Sequence, residues 1–303
     1  MIICDYYRQF KDKKVVVGLG YFDSVHKGHT YLIEEVKRLA SELNALPAIF
    51  TFSSNPFAEL GMATKNIFSF EERARRLQHL DVEVVIGVDA KRDFFNMTGD
   101  EFLDIFTKNY NVVGFVSGTD YTYGKMASGD EYSLLEYGKA HNIRVSIVNL
   151  LSKSGRKIAS RDIRELLLQG EIQKVNELLS EPYSLSGKVR QGRQDGSKIG
   201  FPTANIDLEE GNLIVRNGVY SSIAVVNGKR YKAVTNIGGH PTFGDNKKNA
   251  EAYIIDFEGD IYGEEITIIP VRWLRPVMLF SSVKELHDTI ENDKNTTIRE
   301  VIL

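Results

Sequence analysis

His26 and His29 stand three residues apart with Gly28 between them, in the run Gly20-Tyr21-Phe22-Asp23-Ser24-Val25-His26-Lys27-Gly28-His29. Residues at that spacing share a face once a helix has begun. A helix start offers free backbone N–H groups and the positive end of the helix dipole, which together make an anion site, and phosphate is the usual anion. Two imidazoles placed there suit nucleotidyl transfer, which needs cationic donors around an α-phosphate and a departing pyrophosphate but no acyl-type nucleophile. Gly28 lets a phosphate come close to the backbone with no Cβ in the way. The plain alternative is a pair of surface histidines, and the joint occurrence of strand, glycines and spacing speaks against it.

Such a site needs a strand to deliver the turn and a helix to follow it. Val15-Val16-Val17 reads as a buried strand and the chain from Thr30 onward as a helix. Gly18-x-Gly20 invites a dinucleotide reading, but Asp23 falls where the third glycine would stand, and no Gly-x4-Gly-Lys-Ser/Thr run occurs anywhere. Further on, apolar strands at 15–20, 46–52, 83–88, 112–117 and 143–148 alternate with helical segments at 30–43, 70–80, 99–109 and 131–140. That alternation predicts an α/β fold, a doubly wound parallel sheet with its ligand outside the carboxyl ends of the strands.

After short helices expected at 160–168 and 171–179, Glu181-Pro182-Tyr183-Ser184 reads as a linker, and the pattern then changes. Runs at 218–226, 231–237, 251–257 and 265–274 are β-branched or alternating, and Asn227-Gly228 is a strong hairpin signal. They predict a small antiparallel β-barrel closed by an amphipathic helix from 283. The domains expected are therefore 1–180 and 184–303. Within the second, Gly187, Gly192, Gly196 and Gly200 lead into Phe201-Pro202-Thr203-Ala204-Asn205. A glycine-dense loop with side-chain oxygens can hold a nucleotide polyphosphate and its Mg²⁺ without a P-loop; taken bare, the same glycines could be barrel turns.

The 303 residues carry a net charge of −3, which argues against a general nucleic-acid binder. Basic clusters at Lys11, Lys13 and Lys14, at Arg73, Arg75 and Arg76, and at Lys153, Arg156 and Lys157 stay candidates for local phosphate contacts. Cys4 is the one cysteine, so neither a disulfide framework nor a cysteine-rich metal site is expected. No signal-peptide pattern or bilayer-length apolar run is seen, so a cytoplasmic location with no membrane partner is expected.

Gly20-x-Phe22-Asp23-x-x-His26-x-Gly28-His29 resembles the first motif of the bacterial bifunctional riboflavin kinase/FMN adenylyltransferase (FAD synthetase) family. Thr51-Phe52 with Pro56, then Gly118-x-Asp120-x-x-Tyr123-Gly124 and Ile158-x-Ser160-x-x-Ile163-Arg164, resemble its later motifs in the same order. Phe201-Pro202-Thr203-Ala204-Asn205 resembles the riboflavin kinase signature, and Asn236-Ile237-Gly238 with Pro241-Thr242-Phe243 a second kinase motif. The resemblance spans about residues 14 to 300. It implies ATP as co-substrate, Mg²⁺, and riboflavin, FMN and FAD as substrates and products.

By that resemblance His26 and His29 stabilise the α-phosphate in transfer, beside nucleotide contacts from Gly20, Phe22, Asp23, Gly28, Ser160 and Arg164. Asp120, Tyr123 and Arg275 fall on the flavin side. In the second half Gly187, Gly192, Gly196 and Gly200 line the nucleotide, Thr203 and Asn205 hold metal and phosphates, and Glu251 is the base. The chain departs from the pattern at Tyr21, Ser24, Ala159, Arg161, Gln191, Ser197, His240 and Val277, and in Ser53-Ser54-Asn55 before Pro56. Loss of one activity, a silent flavin-sensing protein, and a homo-oligomer all stay open at this point.

Overall fold

In a computed structural model of the protein, β2 (Phe10–Leu19) lies at the centre of a parallel sheet, and everything in the first half is wound about it. The residues described are all except 63, 92, 150–157, 193–195, 197–198, 209–211 and 241–244. The expectations placed on Lys153, Arg156, Lys157, Ser197 and Pro241-Thr242-Phe243 therefore lie outside the described residues. The chain divides into two units, Met1–Ser160 and Arg161–Leu303.

In the first unit, β1 (Ile2–Asp5), β2, β3 (Leu46–Phe52), β4 (Val84–Val88), β5 (Tyr110–Gly118) and β6 (Arg144–Val148) form a six-stranded sheet of order β1-β4-β3-β2-β5-β6. Every pairing is parallel. The three valines show why: Val15 and Val17 pack into one core with Phe50 and Ile86, while Val16 enters another with Ile33, Val36 and Ile49. A strand apolar on both sides needs a cover on both faces. α1 (Lys27–Glu42) and α3 (Phe70–Gln78) supply one, and α4 (Gly99–Asn109) and α5 (Glu131–His141) the other, with α2 (Pro56–Glu59) a single turn after β3.

From β2 the chain builds outward to β3 and β4, then returns to place β5 on the other flank of β2. The crevice between the carboxyl ends of β2 and β5 is the switch point where ligands bind in such sheets. Gly18 lets α1 approach: a Cβ there would lie 2.7 Å from both Ile49 Cδ1 and Val36 Cγ2. Gly18→Val should destabilise the protein by at least ~1–3 kcal/mol, read as a lower melting temperature; an unchanged melt would overturn this account of the packing.

The strands and helices expected for this half are present; β2 starts earlier, at Phe10, α2 is an unexpected turn, and two further differences have a cause in the sequence. β1 is additional, since Ile2-Ile3-Cys4-Asp5 is too short and mixed to stand out from sequence. α1 begins at Lys27 and not at Thr30, because its cap is a histidine, a residue outside the usual capping set.

The second unit is a closed antiparallel barrel of order β10-β11-β8-β7-β12-β9. Its strands are β7 (Leu185–Arg190), β8 (Thr203–Asp207), β9 (Gly218–Val226), β10 (Lys229–His240), β11 (Asp245–Ile254) and β12 (Glu265–Arg275). β7 and β8 occupy much of what reads in sequence as a glycine loop, so Gly187 sits within a strand and only Gly192, Gly196 and Gly200 belong to the connection. α8 (Val283–Glu300) packs on β9 and β10 as one continuous helix, longer than expected, with Thr297 Oγ1 2.8 Å from Ser221 Oγ.

α6 (Ser160–Gln169) and α7 (Ile172–Leu178) precede the barrel, and by contact they group with it except for Ser160, whereas the composition boundary falls after them. The stretch 181–184 is no open linker. Tyr183 is fully buried, its hydroxyl donating to Leu213 O at 3.1 Å and its N–H to Asn176 Oδ1 at 2.8 Å.

Candidate functional site

His26 is the N-cap of α1, and it caps in an unusual reciprocal way. The His29 N–H donates to His26 Nδ1 at 3.1 Å, and the His26 N–H donates to His29 Nδ1 at 3.3 Å. This is a capping box built from two imidazoles in place of the usual hydroxyl and carboxylate. The rings stack at 3.7 Å with an interplanar angle of 7°, and Phe22 closes on His29 at 4.8 Å. Because each Nδ1 accepts, each ring carries its proton on Nε2. The pair thus presents N–H donors while the helix consumes their other nitrogens.

Gly28 has a role that spacing alone did not reveal. A Cβ there would lie 2.9 Å from His26 Cε1 and Nδ1, so the missing side chain makes room for the His26 ring. The turn before α1 is strained: Phe22 and Val25 have φ of 51° and 44°, the latter rare for a β-branched residue. Strain of this sort persists where surrounding contacts over-determine it, and Val25 and Phe22 are both buried. Gly20 avoids the Phe22 ring, which a Cβ would approach to 2.7 Å.

Arg73 of α3 holds this turn from beneath. It is fully buried, with Nη1 donating to Thr51 Oγ1 at 2.8 Å and to Tyr21 O at 3.2 Å, and Nη2 donating to Phe52 O at 2.7 Å. Burial pushes its guanidinium down from its ordinary value, and the charge of the buried Asp23 pulls it back up. Asp23 also accepts from Ile67 N at 2.9 Å. Arg73 and Arg76 are therefore structural, which corrects their standing as candidate surface contacts for phosphate: Arg76 is buried too, bonded to Glu72 at 2.7 Å. Arg73→Ala removes the buried donor that Thr51 Oγ1, Tyr21 O and Phe52 O now share and should cost ~1–3 kcal/mol, measured by denaturant unfolding of the full chain.

The histidines open into a cleft of about 710 Å³ within the first unit. It is lined by Gly20, Phe22, His26, His29 and Ser160 and by a set of aromatic rings, Phe52, Phe57, Phe94, Phe102 and Tyr123. Asp120 lines it from the loop after β5, and Tyr123 is fixed by a 3.0 Å contact between its hydroxyl and Ser133 Oγ. Ser24 and Ser160 hydroxyls lie 2.9 Å apart, so one departure from the family pattern is engaged with another site residue. Tyr21, another departure, donates its hydroxyl to Asn66 Oδ1 at 2.6 Å while its carbonyl accepts from Arg73. Arg164 is half-buried one helical turn beyond Ser160 on α6.

In the barrel, Thr203 and Asn205 share one face of β8, and Glu251 of β11 lies directly opposite Asn205. Asn205 Nδ2 is 3.3 Å from both Thr203 Oγ1 and Thr203 O. The chain at Gly192 crosses close over this pair, since a Cβ there would lie 2.5 Å from Asn205 Nδ2. A Cβ at Gly196 would lie 2.3 Å from Phe201 O, and Gly200 takes φ of 87°. Asn249 Nδ2 donates to Glu251 Oε1 at 3.3 Å. A pocket of about 360 Å³ adjoins Thr203, lined by Val189, Pro202, Ile254, Phe257 and Tyr262. Arg275 instead makes a double contact with Asp293 of α8, at 2.9 and 2.8 Å, and burial pushes that carboxyl up against the opposing pull of the arginine.

Sequence reasoning missed the anchoring role of Arg73, and missed Asn249 and the aromatic lining altogether. Their signals are single residues on separate elements, which only the packing of α3 and the crossing of strands bring together.

A parallel sheet with imidazoles at its switch point, joined in one polypeptide to a closed antiparallel barrel with a Thr–Asn–Glu cluster, defines a nucleotidyltransferase-like domain followed by a riboflavin-kinase-like one. The model of a family described as FAD synthetase matches residues 8–162, and that of riboflavin kinase matches residues 179–301. The chain belongs to the bifunctional riboflavin kinase/FMN adenylyltransferase family. Proteins of that name from Listeria monocytogenes and Bacillus subtilis are 33% and 35% identical to it. The alignments cover 95% of this chain and 93% of the Listeria protein, and 94% and 92% for the Bacillus protein. A crystal structure described as a macrolide-efflux protein from Streptococcus pneumoniae is also similar, with a TM-score of 0.89 and 30% identity over the whole of both chains. Among the described residues, no helix of the present chain is long and apolar enough to cross a membrane.

Proposed function

We propose that this enzyme makes flavin nucleotides in two ATP-dependent steps, phosphorylating riboflavin to FMN in residues 184–303 and adenylylating FMN to FAD in residues 1–180. The observation that carries this reading is a single cleft lined both by the paired histidines and by a cluster of aromatic rings, a lining that suits a phosphate and a flat ring together.

In the first domain the FMN phosphate oxygen attacks the α-phosphorus of ATP, the bond to the bridging oxygen breaks, and pyrophosphate leaves. His26 and His29, holding their protons on Nε2, donate to the oxygens on which charge grows. Gly20, Phe22, Asp23 and Gly28 shape the turn that places them, Ser160 and Arg164 take the polyphosphate, and Asp120 and Tyr123 take the flavin side. Cytoplasmic placement and small-molecule partners accord with this chemistry.

In the barrel, Glu251 accepts the proton of the riboflavin 5′-hydroxyl as its oxygen attacks the γ-phosphorus, and ADP departs. Thr203 and Asn205 offer hard oxygen donors, and Mg²⁺ is commonly held by one or two protein oxygens together with substrate phosphates, so the residues present fit that ion. When bound, Mg²⁺ would neutralise the phosphate charge. Gly192, Gly196 and Gly200, with Gly187 behind them, let the backbone approach the phosphates, and the apolar pocket beside Thr203 suits a base. Arg275 shapes the flavin side through Asp293.

Incubating the purified protein with ATP, Mg²⁺ and either riboflavin or FMN, then separating the flavins, tests each half by itself. FMN from the first incubation and FAD from the second are expected. Absence of both products would sink the proposal; FAD alone would select a barrel that binds flavin without phosphorylating it.

A further inference from the structure

Asn236 of β10 lies directly opposite Glu251 of β11, which in turn lies opposite Asn205 of β8. Residues opposed across antiparallel strands project from the same face. The three side chains thus form a row, amide–carboxylate–amide, across neighbouring strands. The Asn236 Oδ1 is buried and has no hydrogen-bond partner among the described residues. Native folds rarely keep a buried acceptor unsatisfied without a use for it.

The row has a direction. Thr203 and Asn205, assigned to metal and phosphates, lie on one side of Glu251, and Asn236 lies on the other. An in-line displacement puts the phosphorus, the attacking oxygen and the rest of the nucleophile in that same order. With the phosphates over β8 and the reacting hydroxyl at Glu251, the remainder of the nucleophile extends over β10. Strands are spaced by about 4.8 Å, which is the reach from one hydroxyl of an extended polyol to its near neighbour. An unpaired carbonyl oxygen repels phosphate and calls for a donor such as a hydroxyl.

We propose that Asn236 is a further substrate-binding residue of the kinase site, its carboxamide oxygen accepting a hydrogen bond from the 3′- or 4′-hydroxyl of riboflavin. This rests on the kinase reading above. It makes the polyol chain, in addition to the ring, a specificity element. Asn249, bonded to Glu251 from two residues back on the same strand, keeps the carboxylate on this line.

The test pairs variants with substrate analogues. Wild type, Asn236→Ala and the volume-conserving Asn236→Leu are compared on riboflavin and on its 2′-, 3′- and 4′-deoxy analogues, by turnover and by quenching of flavin fluorescence. Both variants should lower kcat/KM for riboflavin roughly 10-fold, leave the KM for ATP unchanged, and still convert supplied FMN to FAD. The penalty should vanish on the 3′- or the 4′-deoxy analogue. An equal penalty on every analogue would mean a structural role and overturn the assignment, as would a change confined to the KM for ATP. Should wild type bind riboflavin without phosphorylating it, the kinase reading fails while the binding titrations still decide the Asn236 contact. Failure of wild type to bind riboflavin overturns both.

Discussion

His29→Asn should cut formation of FAD from FMN by about 100- to 1,000-fold and leave phosphorylation of riboflavin unchanged. The choice of asparagine follows from the reciprocal cap. Its Oδ1 sits near the position of the imidazole Nδ1 and can still accept from the His26 N–H, which His29 Nδ1 now does at 3.3 Å. Nothing in asparagine replaces Nε2–H. The substitution therefore separates two roles that alanine would remove together, helix capping and donation to the α-phosphoryl group. His29→Gln is the complement: its terminal amide reaches the Nε2 position as a donor but leaves the cap unmade.

We expect Asn to keep the melting temperature and lose the reaction. Gln should lose up to ~0.5–2 kcal/mol of stability, as cap deletions do, and recover part of the rate. Equal loss of rate in both variants, tracking the melting temperature, would show that the histidine acts only by capping. His26→Asn should behave like His29→Asn if the two rings act together, since they stack at 3.7 Å and present their donors side by side.

Much of this arrangement is legible in the residues themselves. Val15-Val16-Val17 reports a strand covered on both faces, and the two histidines with Gly28 report the helix start and its anion chemistry. Their order relative to Phe201-Pro202-Thr203-Ala204-Asn205 reports two domains. What sequence did not show are features made by contact over distance. Arg73 sits in a helix whose charges suggest a solvated face, and only packing reveals that it gathers Tyr21, Thr51 and Phe52. The aromatic lining comes from the end of β3, from α2 and α4 and from the connections that carry Phe94 and Tyr123, and has no period to detect. β7 and β8 were hidden because Gly187 interrupts one and Pro202 precedes the other, and barrel closure overrides the weak strand propensity of Gly187, Asn205 and Asp207. Gly28, read from the spacing as room for phosphate, also makes room for the His26 imidazole, which spacing alone does not show.

Glu251→Gln should lower phosphorylation of riboflavin by about 100- to 10,000-fold, the range general-base catalysis supplies, and spare adenylylation of supplied FMN. Glutamine is nearly isosteric, and its Oε1 can still accept from Asn249 Nδ2, now at 3.3 Å from the carboxylate. The cross-strand pairing with Asn205 and Asn236 is a backbone property and stays intact. What is lost is the ability to take a proton. Riboflavin with ATP should then yield neither FMN nor FAD, although FMN with ATP yields FAD at the wild-type rate. Thr203→Ala offers a contrast: if Thr203 meets metal and phosphates, its loss should raise the Mg²⁺ and ATP concentrations needed for half-maximal rate, whereas Glu251→Gln should lower kcat with those concentrations unchanged. A Glu251→Gln protein that phosphorylates riboflavin at the wild-type rate would remove Glu251 from the reaction and return it to an ordinary strand position beside Asn205.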